Sequence, residues 1–140
     1  MRNATDDGIH SNGDILISGG SFEIESDDDG IHADSLVQID DGQMNIVAHE
    51  GIEGTYVQIN GGTIYISASD DGINASQKVK TYTATIEING GYITIVMGKG
   101  DTDGLDSNGY IYDKNGIDLH GVDAIVGRGG STAPVNSGVY

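Results

Sequence analysis

The sequence of 140 residues contains no cysteine, a single proline and only six basic residues. Without cysteine, the chain can form neither a disulfide framework nor a thiolate metal site. The basic residues stand against 22 acidic ones, for a formal net charge of -16. This charge argues against a nucleic-acid partner, because an acidic surface repels the phosphate backbone. No apolar run approaches the roughly 18 residues of a transmembrane helix, so we expect no membrane insertion.

Glycine and acidic residues are abundant instead, and they recur together at a regular spacing. Five short acidic segments each contain a glycine followed by isoleucine or leucine, at Gly8, Gly30, Gly51, Gly72 and Gly104. The intervals between these glycines are 22, 21, 21 and 32 residues, and we place an insertion in the last one at residues 77–83. A fixed period of this length indicates a repeat architecture.

Each acidic segment is followed by two short apolar-polar-apolar runs, which a glycine-containing turn separates. This alternation predicts strands with one buried face, and the buried residues are mostly β-branched, which suits strands. The paired runs are residues 15–17 and 22–24, 37–39 and 44–46, 57–59 and 64–66, and 86–88 and 93–95.

The repeat predicts an all-β fold, a right-handed parallel β-helix of about five coils with repeats of about 21 residues. One repeat cannot bury its apolar face alone, whereas stacked coils bury ladders of isoleucine and valine. We expect the β-helix to comprise residues 1–127, and residues 128–140 to form a tail or a truncated last coil. A β-sandwich is the alternative, but its strands would not repeat their turn chemistry at fixed spacing.

Stacking would bring equivalent acidic residues of neighbouring coils to within about 4.8 Å of one another. At that separation, two carboxylates repel by about 3.5 kcal/mol at an effective dielectric constant near 20. None of the basic residues lies inside an acidic segment. Three columns are predicted: Asp7, Asp29, Glu50, Asp71 and Asp103; Asp6, Asp28 and Asp70; and His10, His32, Glu53, Asn74 and Asp106.

The repulsion within these columns predicts a bound cation, and calcium fits best. Calcium takes six to eight oxygen ligands with loose geometry, whereas zinc prefers histidine or cysteine. His10, His32 and His49 are accompanied by too many carboxylates to indicate a zinc site. The alternative is that the acidic segments are solvated turns, since aspartate and glycine are common in turns for conformational reasons.

Three segments carry a family resemblance: DDGIHAD at 28–34, EGIEGTYVQINGGTI at 50–64 and DDGINAS at 70–76. They resemble the carbohydrate-binding calcium β-helix family of clostridia and related bacteria, which is similar in fold to family 9 polysaccharide lyases. The resemblance covers residues 5 to about 127. The region 110–126 departs from it, because it carries extra residues and lacks the usual glycine pair.

The resemblance implies an extracellular protein that holds several calcium ions and binds plant cell-wall polysaccharide, both cellulose and acidic pectin-like sugars. We therefore expect a secreted or cell-surface location, and we interpret the N-terminus as that of a trimmed fragment because it lacks the apolar core of a signal peptide. The implied calcium ligands are Asp6, Asp7, Asp28, Asp29, Glu50, Glu53, Asp70, Asp71, Asp103 and Asp106.

Three functions remain open at this stage. A non-catalytic polysaccharide-binding module would use outward tyrosines, for which we name Tyr65, Tyr92, Tyr110 and Tyr112. Strand propensity alone would also account for these tyrosines. A calcium-dependent polysaccharide lyase would need a basic residue, and the candidates are Lys78, Lys80, Lys99 and Lys114. A structural or adhesive β-helix would use calcium only to hold its coils together. We favour the binding module without catalysis.

Overall fold

The computed structural model describes residues 6–97, 104–113, 118–120, 125–128, 131–134 and 138–139. These residues form strands, turns and bends, and they contain no helix. In particular, no helix in this part of the chain is long and apolar enough to cross a membrane. The predicted all-β class is therefore confirmed.

Each coil contributes one strand to each of three sheets, so the described chain is a parallel β-solenoid. The first sheet contains β1 (Ile9–Ser11), β4 (Asp29–Ala33), β7 (Glu50–Gly54), β10 (Ile73–Ala75), β13 (Leu105–Ser107), β16 (Ile125–Arg128) and β17 (Ser131–Pro134). The second contains β2 (Ile15–Ile17), β5 (Leu36–Ile39), β8 (Tyr56–Ile59), β11 (Thr85–Ile88), β14 (Tyr110–Asp113) and β18 (Gly138–Val139). The third contains β3 (Ser21–Glu25), β6 (Gln43–Ala48), β9 (Thr63–Ala68), β12 (Tyr92–Met97) and β15 (Asp118–His120).

The solenoid has about four turns, fewer than the five coils that we predicted. The strands β13 to β15 extend all three sheets beyond the fourth coil, but residues 98–103 and 114–117 around them lie outside the described part of the chain. The right hand of the solenoid stays a prediction. Within the segment expected to be a tail, β17 pairs antiparallel with β16, and β18 pairs antiparallel with β14.

The interior is filled by isoleucine, because the inward positions of successive coils are in register. Ile31, Ile52, Ile73 and Leu105 form one such ladder across four neighbouring strands of the first sheet. All the largest fully buried side chains except Leu105 are isoleucine. The predicted isoleucine ladders are therefore confirmed, and their β-branched side chains suit the pleated surface.

The acidic segments lead into strands of the first sheet and are not turns alone. Asp29 opens β4 and Glu50 opens β7. The isoleucines that follow Gly30 and Gly51, Ile31 and Ile52, are fully buried in the core and pair with each other in neighbouring coils. Burial of that isoleucine outweighs the turn preference of aspartate and glycine.

Gly8, Gly30, Gly51 and Gly72 of the acidic segments are required by close packing against the next coil, and none of them has a positive φ. A Cβ on Gly51 would lie 2.5 Å from the Gly72 carbonyl oxygen and 2.5 Å from Cγ2 of Ile66. Left-handed backbone is found instead in the turns between the second and third sheets. The glycines with positive φ are Gly20, Gly42, Gly62 and Gly91.

We predict that Gly51→Ala destabilises the fold while Gly19→Ala does not. The first substitution overpacks the core against backbone and isoleucine, which typically costs about 1–3 kcal/mol. A Cβ on Gly19 meets nothing within 4 Å, and its φ is not positive. Urea unfolding followed by circular dichroism measures both variants. Equal unfolding midpoints for the two would contradict the close packing described above.

Candidate functional site

Eight carboxylates converge on the outer surface of the first sheet and its flanking turns. The in-register pairing of β4 with β7 places Asp29 beside Glu50, and His32 beside Glu53. The column predicted from the sequence as His10, His32, Glu53, Asn74 and Asp106 is confirmed by the pairing of β1, β4, β7, β10 and β13. We define the acidic cluster as Asp6, Asp7, Asp28, Asp29, Glu50, Glu53, Asp70 and Asp71.

The acidic cluster contains three groups whose oxygen atoms lie within 4.8 Å of one another. Glu50 belongs to two of these groups and therefore connects them along the solenoid axis. Each group draws its carboxylates from two neighbouring coils, so a cation held by any one group would link those coils. The groups are Asp6, Asp7 and Asp28; Asp29, Glu50 and Glu53; and Glu50, Asp70 and Asp71.

His32 lies among these carboxylates, although the sequence alone does not indicate a ligand role for the histidines. Its Nδ1 is 2.9 Å from Asp29 Oδ2, 3.4 Å from Asp7 Oδ2 and 3.3 Å from Glu53 Oε1. Its Nε2 is 3.3 Å from Asp34 Oδ1. The signal that would have placed it was the third column, because His32 stands there in register with Glu53.

A basic side chain from outside the acidic segments also reaches the acidic cluster. Lys78 Nζ lies 3.8 Å from Glu53 Oε1. The insertion that carries Lys78 folds back on the preceding coil, where the backbone amides of Lys78 and Val79 donate to Thr55 Oγ1 at 3.0 and 3.3 Å. Because the path of an insertion is not encoded in the repeat, its sequence position did not reveal this contact.

The acidic cluster holds more negative charge than its own protein partners neutralise. Asp29 is only 3% exposed, and its Oδ1 has no hydrogen-bond partner. Burial raises the pKa of Asp29 to about 9, with smaller contributions from the neighbouring carboxyls, Glu53 foremost. Burial likewise raises the pKa of Glu50 to about 7, and the charges of Glu53 and Asp70 add to the effect. A cation at this place would compensate these groups.

The residues present fit a hard divalent cation. The three groups of the acidic cluster offer carboxylate oxygens alone, which are the ligands that calcium prefers. Asp29, whose Oδ1 is buried and unpartnered, belongs to the middle group. His32 makes a further group with Asp7 and Asp29, and that mixture of nitrogen and oxygen also suits transition metals.

Two of the ten predicted ligands are not part of these groups. Asp106 lies on β13, paired with Asn74, and it joins none of the carboxylate groups among the described residues. Asp103 lies outside the described part of the chain, as do the lysine candidates Lys99 and Lys114. Lys80 is described, in the insertion, and only Lys78 of these lysines has a described contact with the acidic cluster.

The four predicted tyrosines lie on two different sheets, so they do not form one surface. Tyr65 and Tyr92 project from β9 and β12 of the third sheet, where they are 42% and 82% exposed. Tyr110 and Tyr112 project from β14 of the second sheet, with ring centroids 6.1 Å apart.

Comparison with known proteins identifies the class of this β-solenoid. The family described as carbohydrate-binding domain-containing protein matches residues 2–106, and the chain belongs to this family. The chain matches no curated protein and no solved structure.

We predict that the metal-free protein loses stability as the pH rises from about 4 to about 9. Asp29 and Glu50 have pKa values in the folded state that lie above their ordinary values. Their contribution to the free energy of unfolding is therefore fully present when the pH is below the ordinary pKa values, and it is lost as the pH rises through the raised pKa values. In EDTA, we expect the thermal midpoint to fall by about 5 °C or more over this range.

The matched variants for this measurement are Glu50→Gln and Asp40→Asn. Glu50→Gln should flatten the profile around pH 7, because it removes one raised pKa. Hydrogen bonds from Asn60 and Gln38 lower the pKa of the exposed Asp40 carboxyl, so its substitution should leave the slope unchanged. A midpoint that rises with pH in EDTA would show that the carboxylates of the acidic cluster do not repel as described.

Proposed function

We propose that the protein is a calcium-stabilised, non-catalytic module that binds plant cell-wall polysaccharide, cellulose or acidic pectin-like glycans. Membership of the carbohydrate-binding domain family supports the polysaccharide partner. The observation that carries the calcium proposal is the buried Asp29 carboxylate, whose Oδ1 has no partner inside a cluster of eight acidic side chains. We further propose a secreted or cell-surface location, where free calcium is abundant enough to fill weak sites.

The residues that would hold calcium are those of the acidic cluster, with Glu50 shared between two groups. Bound there, calcium supplies positive charge that offsets the repulsion between coils and can also attract the carboxylate of an acidic sugar. The chain's own residues keep the site in place. Asn74 Nδ2 donates to Glu50 Oε2 at 3.0 Å and to Glu53 Oε2 at 3.1 Å, which orients both carboxylates.

We predict that calcium raises the thermal midpoint by about 5 °C or more relative to EDTA, and that magnesium raises it less. Glu50→Gln should raise the midpoint in EDTA, because it removes a repelling carboxylate, and should reduce the increment from calcium. Differential scanning calorimetry measures both effects.

The matched control is Glu23→Gln, since Glu23 is an exposed glutamate on β3 of the third sheet. This variant removes the same charge away from the acidic cluster and should keep the full response to calcium. If EDTA leaves the wild-type midpoint unchanged, or if both variants lose the same part of the response, calcium is not held by the acidic cluster.

We predict that polygalacturonate binds in calcium, that EDTA abolishes this binding, and that no unsaturated uronide forms. Calorimetric titration measures binding, and ultraviolet absorbance of the product measures cleavage. The lyase alternative has one observation in its favour, the position of Lys78 beside the acidic cluster. Product that forms in the wild type and disappears in Lys78→Ala would establish cleavage. Stabilisation by calcium without any glycan binding would instead establish the structural or adhesive alternative.

A further inference from the structure

The outward face of the second sheet carries four tyrosines, of which the sequence predicted Tyr110 and Tyr112. Tyr56 on β8 and Tyr82 in the insertion lie with ring centroids 5.3 Å apart. Tyr110 and Tyr112 on β14 are stacked, with an interplanar angle of 27°. Between these two pairs runs β11, on which Thr85 is buried and Glu87 is partly exposed. We call the four tyrosines and Glu87 the tyrosine face.

The pairing register explains why the tyrosines gather here. Tyr56, Thr85 and Tyr110 are equivalent positions of three successive coils, and Gln58, Glu87 and Tyr112 are the next equivalent outward positions. Equivalent residues therefore repeat at intervals of about 4.8 Å along the solenoid axis. Tyr82 joins them because the insertion folds as a compact loop, held by Gln77, whose Oε1 accepts from the Ala84 amide at 2.9 Å.

Glu87 is the centre of a hydrogen-bond network that orders this surface. Tyr56 donates its hydroxyl hydrogen to Glu87 Oε1. Gln58 Nε2 and Asn89 Nδ2 donate to Glu87 Oε2 at 3.0 and 2.6 Å. Asn60 extends the network, because its Nδ2 donates to Gln58 Oε1 at 3.1 Å. Side chains fixed in this way lose little conformational entropy when a ligand binds.

The side chains of the tyrosine face complement both the C–H face and the hydroxyl groups of a sugar ring. The C–H face of a pyranose ring packs on aromatic rings, while its hydroxyl groups exchange hydrogen bonds with amides, carboxylates and phenols. Tyr110 remains 43% exposed, so its ring is accessible to such packing. Aromatic surface with a few fixed polar groups is the usual composition of a ligand site.

The charge of this surface selects a neutral glycan over an acidic one. The carboxylates of Glu87 and Asp40 lie on it, and the outward positions of β2, β5, β8, β11 and β14 carry no basic side chain. A uronate would meet these two carboxylates with no basic side chain on the strands beneath it. The carboxylate groups that suit a divalent cation, by contrast, belong to the first sheet and its flanking turns.

We propose that the tyrosine face is a binding site for a neutral, pyranose polysaccharide, separate from the acidic cluster and independent of calcium. This inference rests on the proposed polysaccharide-binding function and assigns one ligand class to one surface. The other exposed tyrosines do not share this environment. Tyr65 and Tyr92 have no ring contact and no side-chain hydrogen bond within the described part of the structure.

The test compares tyrosine substitutions on the two sheets. Affinity electrophoresis in gels containing hydroxyethyl cellulose, and calorimetric titration with soluble cello-oligosaccharide, measure neutral-glycan binding. We expect Tyr110→Ala and Tyr112→Ala to weaken binding about tenfold each, as loss of an aromatic anchor does. The matched control Tyr92→Ala should change the affinity for neutral glycan by no more than about twofold, which is much less than the loss of a hot-spot residue causes.

Two further measurements keep a folding defect apart from a lost contact. Tyr112→Phe retains the ring and should retain most of the affinity, whereas a general loss of structure would not be rescued in this way. Neutral-glycan binding by the wild type should be the same in calcium and in EDTA at a temperature where the metal-free protein is folded. Dependence of this binding on calcium would overturn the assignment to the tyrosine face.

The outcomes separate this inference from the proposed function. Neutral-glycan binding that survives Tyr110→Ala and Tyr112→Ala, or that Tyr92→Ala abolishes, overturns the inference alone. Binding of polygalacturonate without any binding of neutral glycan also overturns it, while leaving the proposed function intact. A wild type that binds neither class of glycan overturns both.

Discussion

In-register stacking of equivalent residues is the constraint on which the rest of the structure depends. Because each coil lies about 4.8 Å from the next, whatever one repeat places outward is multiplied along the axis. The same geometry that builds a continuous isoleucine core also lines up Asp29 with Glu50 at close range. Favourable and unfavourable interactions are therefore amplified together, and no coil can bury its apolar residues without also bringing its acidic ones next to those of its neighbours.

In-register stacking has opposite effects at the two candidate sites. In the acidic cluster, carboxylates face one another and their described basic neighbours are His32, His49 and Lys78, so the surface favours an external cation. On the tyrosine face, the column alternates amide, carboxylate and phenol, and Glu87 finds its donors among Tyr56 and Gln58. Like-charged residues in register repel one another and favour a ligand of opposite charge. Complementary residues in register hydrogen-bond to one another and form a preformed surface.

The repeat period predicted the parts of the fold that obey the repeat. Aligning the acidic segments was enough to place His32 in register with Glu53, and to bury Ile31 against Ile52. What the period could not predict were features that depend on one coil alone or on packing depth. Lys78 reaches the acidic cluster through an insertion whose path no other described coil repeats. The requirement for glycine at position 51 comes from the closeness of the next coil, which residue preferences for turns do not report.

The insertion has a consequence for folding that its length alone would not suggest. In a solenoid of similar coils, several strand pairings have similar energies, because a strand shifted by one whole coil would still pack isoleucine against isoleucine. Only an element present once can break that translational symmetry. The insertion does so through Thr55, a fully buried threonine whose hydroxyl also donates to the Asp34 carbonyl oxygen at 2.8 Å. The insertion bonds the fourth coil to the third at a position that occurs once in the repeat. It therefore disfavours pairings shifted by one coil, which would compete with the native pairing.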